Sequence, residues 1–181
     1  MSPCSAFLLR VAVRGSLASL ASGLVLAACG QWRKGRPAAP LNAPSHWLWG
    51  DPALRQHRVS LRYSLTGFTV HHASSLLWAA VHERCAPSCR GLSAAPAAVL
   101  RDAAVVTALA AWVDLAVVPW RLSPGFQRHL STGQLVAVYG AFAAGLAAGT
   151  AALNRKRPAR AGILCQKENP TASRPGDSQG R

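Results

Sequence analysis

The sequence predicts an all-α protein, a four-helix transmembrane bundle with a polar loop between helices 1 and 2 and a disordered C-terminal tail. Three observations carry this. Of 181 residues, 50% are hydrophobic and only 14% charged, against about 25% charged in an ordinary soluble domain. The apolar residues collect in four runs, about 11–28, 64–82, 97–118 and 131–153, each near the roughly 20 residues a helix needs to cross a bilayer core of about 30 Å. The charge is lopsided, 20 Lys and Arg against 6 Asp and Glu for a formal +14, and lies in short blocks between the runs. Residues 1–153 therefore read as one membrane domain and 154–181 as a basic tail rich in Pro, Ser and Gly.

A charge of +14 also raises nucleic-acid binding. The pattern argues against it, because the basic residues flank apolar segments and no aromatic stacking platform is interleaved with them. Anionic lipid headgroups are the expected counter-charge, met chiefly by Arg155, Lys156, Arg157 and Arg160 directly after the last run. Cys4, Cys29, Cys85, Cys89 and Cys165 are odd in number and irregular in spacing, so no disulfide framework is expected.

In the first run Gly15, Ser19 and Gly23 recur every four residues, which puts small side chains on one face and lets a neighbouring helix, or another subunit, approach closely. A second reading competes. Leu26-Ala27-Ala28-Cys29 looks like the lipobox of bacterial lipoproteins, which would make Cys29 a lipidation site after cleavage. Three further spans make such an anchor redundant.

Residues 30–63 form the polar loop. Pro37, Pro40, Pro44 and Pro52 forbid a continuous helix, and Trp47 and Trp49, with His46 and Asp51 beside them, suit an interfacial aromatic belt. The sharper alternative is a lid over a polar pocket.

The second run carries ionisable groups at depth, which is costly unless they have a partner or a purpose. At about 100° per residue, Trp78 and His82 each fall within roughly 20° of His71, with Ser74 and Ser75 alongside. This polar stripe should face the bundle interior. His72 points elsewhere. His82, Cys85 and Cys89 invite a zinc reading, but a structural site wants four ligands and no second ligand pair lies nearby.

The third run has Arg101 and Asp102 in its opening turns, where side chains reach water, and Asp114 about three turns on. Asp114 wants a partner. In an antiparallel arrangement it lies several Å above His71 along the bundle axis, within reach through a water and not directly. Pro124-Gly125 marks a tight turn. In the fourth run Ala141, Gly145 and Gly149 repeat the small-residue spacing, and Tyr139 can reach the polar stripe.

Four spans put both termini on one side. That side holds twelve basic residues against eight on the other, so both termini are expected in the cytoplasm.

The segments SHWLWGD (45–51), TGFTVHHASSLLWA (66–79) and D-x4-P-x-R-L-x-P-G-F (114–126) together resemble uncharacterised small multi-pass inner-membrane proteins of bacteria, over about residues 15–150. The resemblance implies a bacterial inner-membrane location and a retained first helix. It supplies no activity, cofactor or catalytic residue.

The favoured functional expectation is a structural or accessory membrane protein held together by its polar residues. The alternative is a proton or cation transport or sensing site built on His71, His82 and Asp114, with Ser75 and Trp78 lining it. An enzyme has no support from any nucleophile–base pair, phosphate loop or metal motif.

Overall fold

The structure is a computed structural model. It describes the backbone of residues 2–86 and 95–168 and the side chains of 2–86 and 95–154. Among these residues there are helices and turns and no strand. The expected chemistry of Cys89 and the headgroup contacts of Arg155, Lys156, Arg157 and Arg160 lie outside the described side chains, and the tail from 169 lies outside the described residues.

The first helix, α1 (Pro3–Lys34), is longer at both ends than the expected span of 11–28. Ser2 caps its start, accepting from the Ser5 amide at 3.2 Å, and Pro3 sits where no amide donor is needed. Gly35 ends it in a left-handed conformation (φ 61°), which only glycine adopts without strain; its amide donates to Gln31 O at 2.9 Å.

Residues 38–54 are less loop-like than expected. The prolines break them into short pieces, α2 (Ala38–Asn42), a 3₁₀ turn (Ala43–Ser45), α3 (His46–Trp49) and α4 (Asp51–Leu54). Ala38, Ala39, Asn42, Ala43, Ser45 and His46 are buried. The segment is a cap seated on the end of the bundle. Of the four residues expected at an interface, His46 is buried, Trp47 is half-buried, and Trp49 and Asp51 are exposed. Asn42 fastens the cap to the chain that follows, donating from Nδ2 to the carbonyls of Gln56 and Arg58 and accepting from Ser64 Oγ at 2.7 Å.

The end of the polar loop and the start of the second run form a wide π turn (Leu61–Leu65) leading without a break into α5 (Thr66–Cys85). The third run is α6 (Pro96–Trp112), continued by a second π turn (Val113–Val117). Ser131 and Gln134 then cap each other's backbone, Ser131 N donating to Gln134 Oε1 at 3.0 Å. This reciprocal pair starts α7 (Thr132–Glu168), whose backbone continues past the expected end at 153.

The bundle is organised around α1 and α7, which run antiparallel in close contact; α5 packs mainly on α1 and α6 mainly on α7, so the α5–α6 seam is the loose one. The small residues explain the closeness. A methyl group added at Gly145 would lie 2.5 Å from the Ala18 Cα, and one at Gly149 would lie 2.8 Å from the Arg14 Cα. Gly15 serves α5 in the same way, meeting Leu76 and Ala79. These faces, expected as possible seams between subunits, are filled by the chain itself.

Two apolar clusters stack along the bundle. One joins Val11, Ala18, Ala79, Ala103, Phe142 and Leu146. The other, under the cap, joins Leu26, Ala43, Leu54, Phe126, Leu130 and Val138, with Cys29 packed against it. Two helices, Pro3–Lys34 and Thr132–Asn154, are long and apolar enough to cross a membrane, by length and composition. Large apolar side chains are nevertheless exposed on every long helix, among them Leu24 (72%), Leu77 (63%), Val105 (63%) and Val136 (68%).

Candidate functional site

A cavity of about 50 Å³ opens at the loose seam between α5 and α6. One water needs roughly 10–15 Å³ on this measure, so the space suits a few waters or a small ion. It lies between the two apolar clusters, touching Phe142 of one and Phe126 and Val138 of the other. Pro44 and Trp47 of the cap and Pro124 of the following turn close its end. Residues 38–54 thus cover one end of the cavity through Pro44 and Trp47.

Of the five residues singled out from the sequence, His71, Ser75, Trp78 and Asp114 all border this cavity. His82 does not. It shares a helical face with His71, but eleven residues at 1.5 Å each put it about 16 Å further along the axis. There it is fully buried near Arg14, Glu83 and Asp102.

His71 is held from α1. Its Nε2 lies 3.0 Å from Ser22 Oγ and 3.3 Å from the Ser19 carbonyl. A carbonyl only accepts, and the Ser22 hydroxyl already donates to Ala18 O at 2.7 Å. Nε2 therefore carries the proton and donates, which assigns the tautomer from the network and leaves Nδ1 as a free lone pair. Asp114 is held from α7, accepting from the Tyr139 hydroxyl at 3.1 Å. Ser75 turns its hydroxyl back to the His71 carbonyl at 2.8 Å, which spares α5 a polar group in the cavity wall. His72 is stacked on Phe68, ring centroids 5.9 Å apart, away from this centre.

The cap is laced to the 119–130 segment directly over the cavity. Trp47 Nε1 donates to Ser123 O at 2.9 Å. His46 Nδ1 donates to Ala43 O at 2.8 Å and its ring packs on Trp120 at 5.3 Å. Gly125, at φ 78°, is required here twice over: the backbone is left-handed, and a side chain would meet His46 Nδ1 at 2.9 Å.

A second polar centre was missed in the sequence. Arg14, which lies inside the first apolar run, is fully buried; it pairs with Glu83, which also holds Arg10. Arg14 Nε donates in addition to Thr150 Oγ1 at 2.9 Å. This cluster ties α1, α5 and α7 together at the end opposite the cap. Asp102, expected to reach water, is buried too, with Arg101 Nη2 3.0 Å away. Ser22 was also missed; the available signal was Ser19 and Ser22 nearly one turn apart in an otherwise apolar helix.

Comparison with protein-family models, curated proteins and solved structures finds no match.

Proposed function

We propose that this chain is a multi-pass integral membrane protein of the bacterial inner membrane, a four-helix bundle with both termini cytoplasmic, enclosing a hydrated, proton-responsive centre at His71 and Asp114. It acts as a transport or sensing element and not as an enzyme.

Two helices have the length and apolarity of spans. In favour of the other two, α5 with its leading π turn covers 61–85 and α6 with its trailing π turn covers 96–117. Both also present bare apolar side chains outward at Leu77 and Val105, an arrangement that water penalises and lipid does not. The basic block 155–160 supports the orientation.

The observation that carries the functional reading is the pairing across one cavity, large enough for a few waters, of an imidazole and a carboxylate from different helices, each oriented by its own partner. The His71 Nδ1 lone pair takes up a proton, a few waters relay it, and the Tyr139-bound carboxylate balances the resulting charge. Histidine is suited to that exchange near neutral pH. The Cys29 lipoprotein reading loses support, since cleavage there would remove Arg14 and Leu26 from the core.

Trp47 and Trp78 border the cavity and report on it. Tryptophan fluorescence of the purified protein, titrated over roughly pH 5 to 8, is expected to show a transition that His71→Gln abolishes and His72→Gln leaves. An unchanged transition in His71→Gln, in protein recovered at normal yield, refutes the centre. A lowered yield of folded His71→Gln with no transition in the wild type favours the structural reading, for which the Arg14–Glu83 cluster speaks.

A further inference from the structure

At the capped end of the bundle, beside the end of α1, lies a second cleft of about 250 Å³, five times the volume of the inter-helix cavity at about 50 Å³. Its walls come from three separate stretches. α1 and the turn after it supply Arg33, Lys34 and Arg36; the chain after α4 supplies His57; the 126–129 turn supplies Arg128 and His129. No carboxylate lines it, and among the described residues no ion pair neutralises any of these four cations. Exposed basic residues alone are ordinary surface. Two features here are not. His57 Nδ1 and His129 Nε2 are buried in the cleft wall without a hydrogen-bond partner, and their rings stand edge to face with centroids 6.4 Å apart. Buried polar atoms are nearly always satisfied, so two orphaned ring nitrogens beside four unpaired cations point to an anionic occupant.

We infer that this cleft is an anion site for a phosphate group, gripped by Arg33, Lys34, Arg36 and Arg128 and hydrogen-bonded by the His57 and His129 rings. Guanidinium groups match phosphate oxygens two at a time, and Lys34 adds a point charge. Both rings are held below the usual histidine range. Burial is the main cause for each; Arg36 and then Lys34 add to it at His57, and His57 and then Lys34 add to it at His129, with Arg128 contributing and a hydrogen bond with the Leu54 backbone opposing. An arriving phosphate reverses the repulsion and lets the rings take protons and donate. The phosphate can belong to a lipid headgroup, since the cleft adjoins the end of a membrane-length helix, or to a free ion. The site is distinct from the His71 centre and stands without it.

The test uses the full chain purified in detergent, with inorganic phosphate as one probe and added phosphatidylglycerol as the other. The cleft variant is Arg33→Gln/Arg36→Gln, which spares the Arg128 guanidinium stacked 3.5 Å over Trp120. Its control, Arg55→Gln/Arg58→Gln, removes equal charge from exposed positions at the same end. Melting temperature reads phosphate binding, and native mass spectrometry reads retained lipid.

Saturable stabilisation by phosphate that weakens about tenfold for each charge removed in the cleft variant, and not in the control, establishes a free-phosphate site. Retained phosphatidylglycerol lost only in the cleft variant, without any response to phosphate, establishes a headgroup site. Equal responses of cleft variant and control, or no response of the wild type to either probe, overturn the inference. Should Arg33→Gln/Arg36→Gln fail to fold, His57→Gln/His129→Gln takes its place: loss of the wild-type response to phosphate or of retained phosphatidylglycerol supports the site, and an unchanged response overturns it.

Discussion

Replacing Glu83 by leucine isolates the polar cluster at the end opposite the cap. The Arg14 side chain is 1% exposed and that of Glu83 6%, so this pair is sealed from solvent, whereas Arg10, at 28%, is not. Loss of the carboxylate strands the Arg14 guanidinium among helices with Thr150 Oγ1 as its remaining partner. Removing one partner of a buried ion pair costs about 3–5 kcal/mol, whereas an exposed pair contributes about 1 kcal/mol or less. Glu83→Leu should therefore weaken folding on the order of a hundredfold or more, each 1.4 kcal/mol being tenfold. The double variant Arg14→Met/Glu83→Leu removes both charges, replaces them by apolar volume, and leaves Arg10 free to turn outward. It should recover to within about 1 kcal/mol of the wild type, because buried pairs and well-packed apolar substitutes are often equivalent. Reversible unfolding by dodecyl sulfate in mixed micelles measures both. A cost under about 1 kcal/mol for Glu83→Leu, or a double variant no better than the single, refutes the claim that the cluster is sealed and charged.

Two further outcomes follow from the packing and from the histidine pair. Gly145→Ala pushes a methyl group against α1 backbone that cannot swing away, and should destabilise by about 1–3 kcal/mol. Gly140→Ala, where nothing lies within 4 Å, should be neutral or stabilise by up to about 1 kcal/mol; equal effects in the unfolding assay would contradict the α1–α7 contact. His57 and His129 titrate below the usual value of about 6.5 when folded. Their contribution to stability is thus full above that value and is lost as the pH falls through the lower folded values. The melting temperature should fall on acidification across this window, less steeply in His57→Gln/His129→Gln, and sulfate should offset the fall in the wild type. An identical acid slope in the variant would refute it.

The sequence made the four helices legible because each is a long apolar run, and the small-residue spacing at Gly145 and Gly149 correctly marked a close-packing face. Depth was harder. His71 and His82 share a helical angle, yet only His71 reaches the cavity, since angle says nothing of height along the axis. Arg14 sits within the first run, and nothing near it in sequence reveals its partner, Glu83. The cap was hidden by its prolines, which exclude one long helix but permit several short ones. Tyr139 was within reach of the stripe; that it meets Asp114, and that Ser22 meets His71, depends on which helices are neighbours, and periodicity within one helix does not contain that.

Whether lipid surrounds all four helices can be read from nitroxide labels placed singly at Leu24, Leu77, Val105 and Val136, one on each long helix, in protein reconstituted in vesicles. Oxygen concentrates in acyl chains and a charged nickel chelate stays in water. All four labels are expected to relax strongly with oxygen and weakly with nickel. Nickel-dominated relaxation at Leu77 and Val105, with oxygen-dominated relaxation at Leu24 and Val136, would leave two spans in place of four and contradict the bundle proposed here.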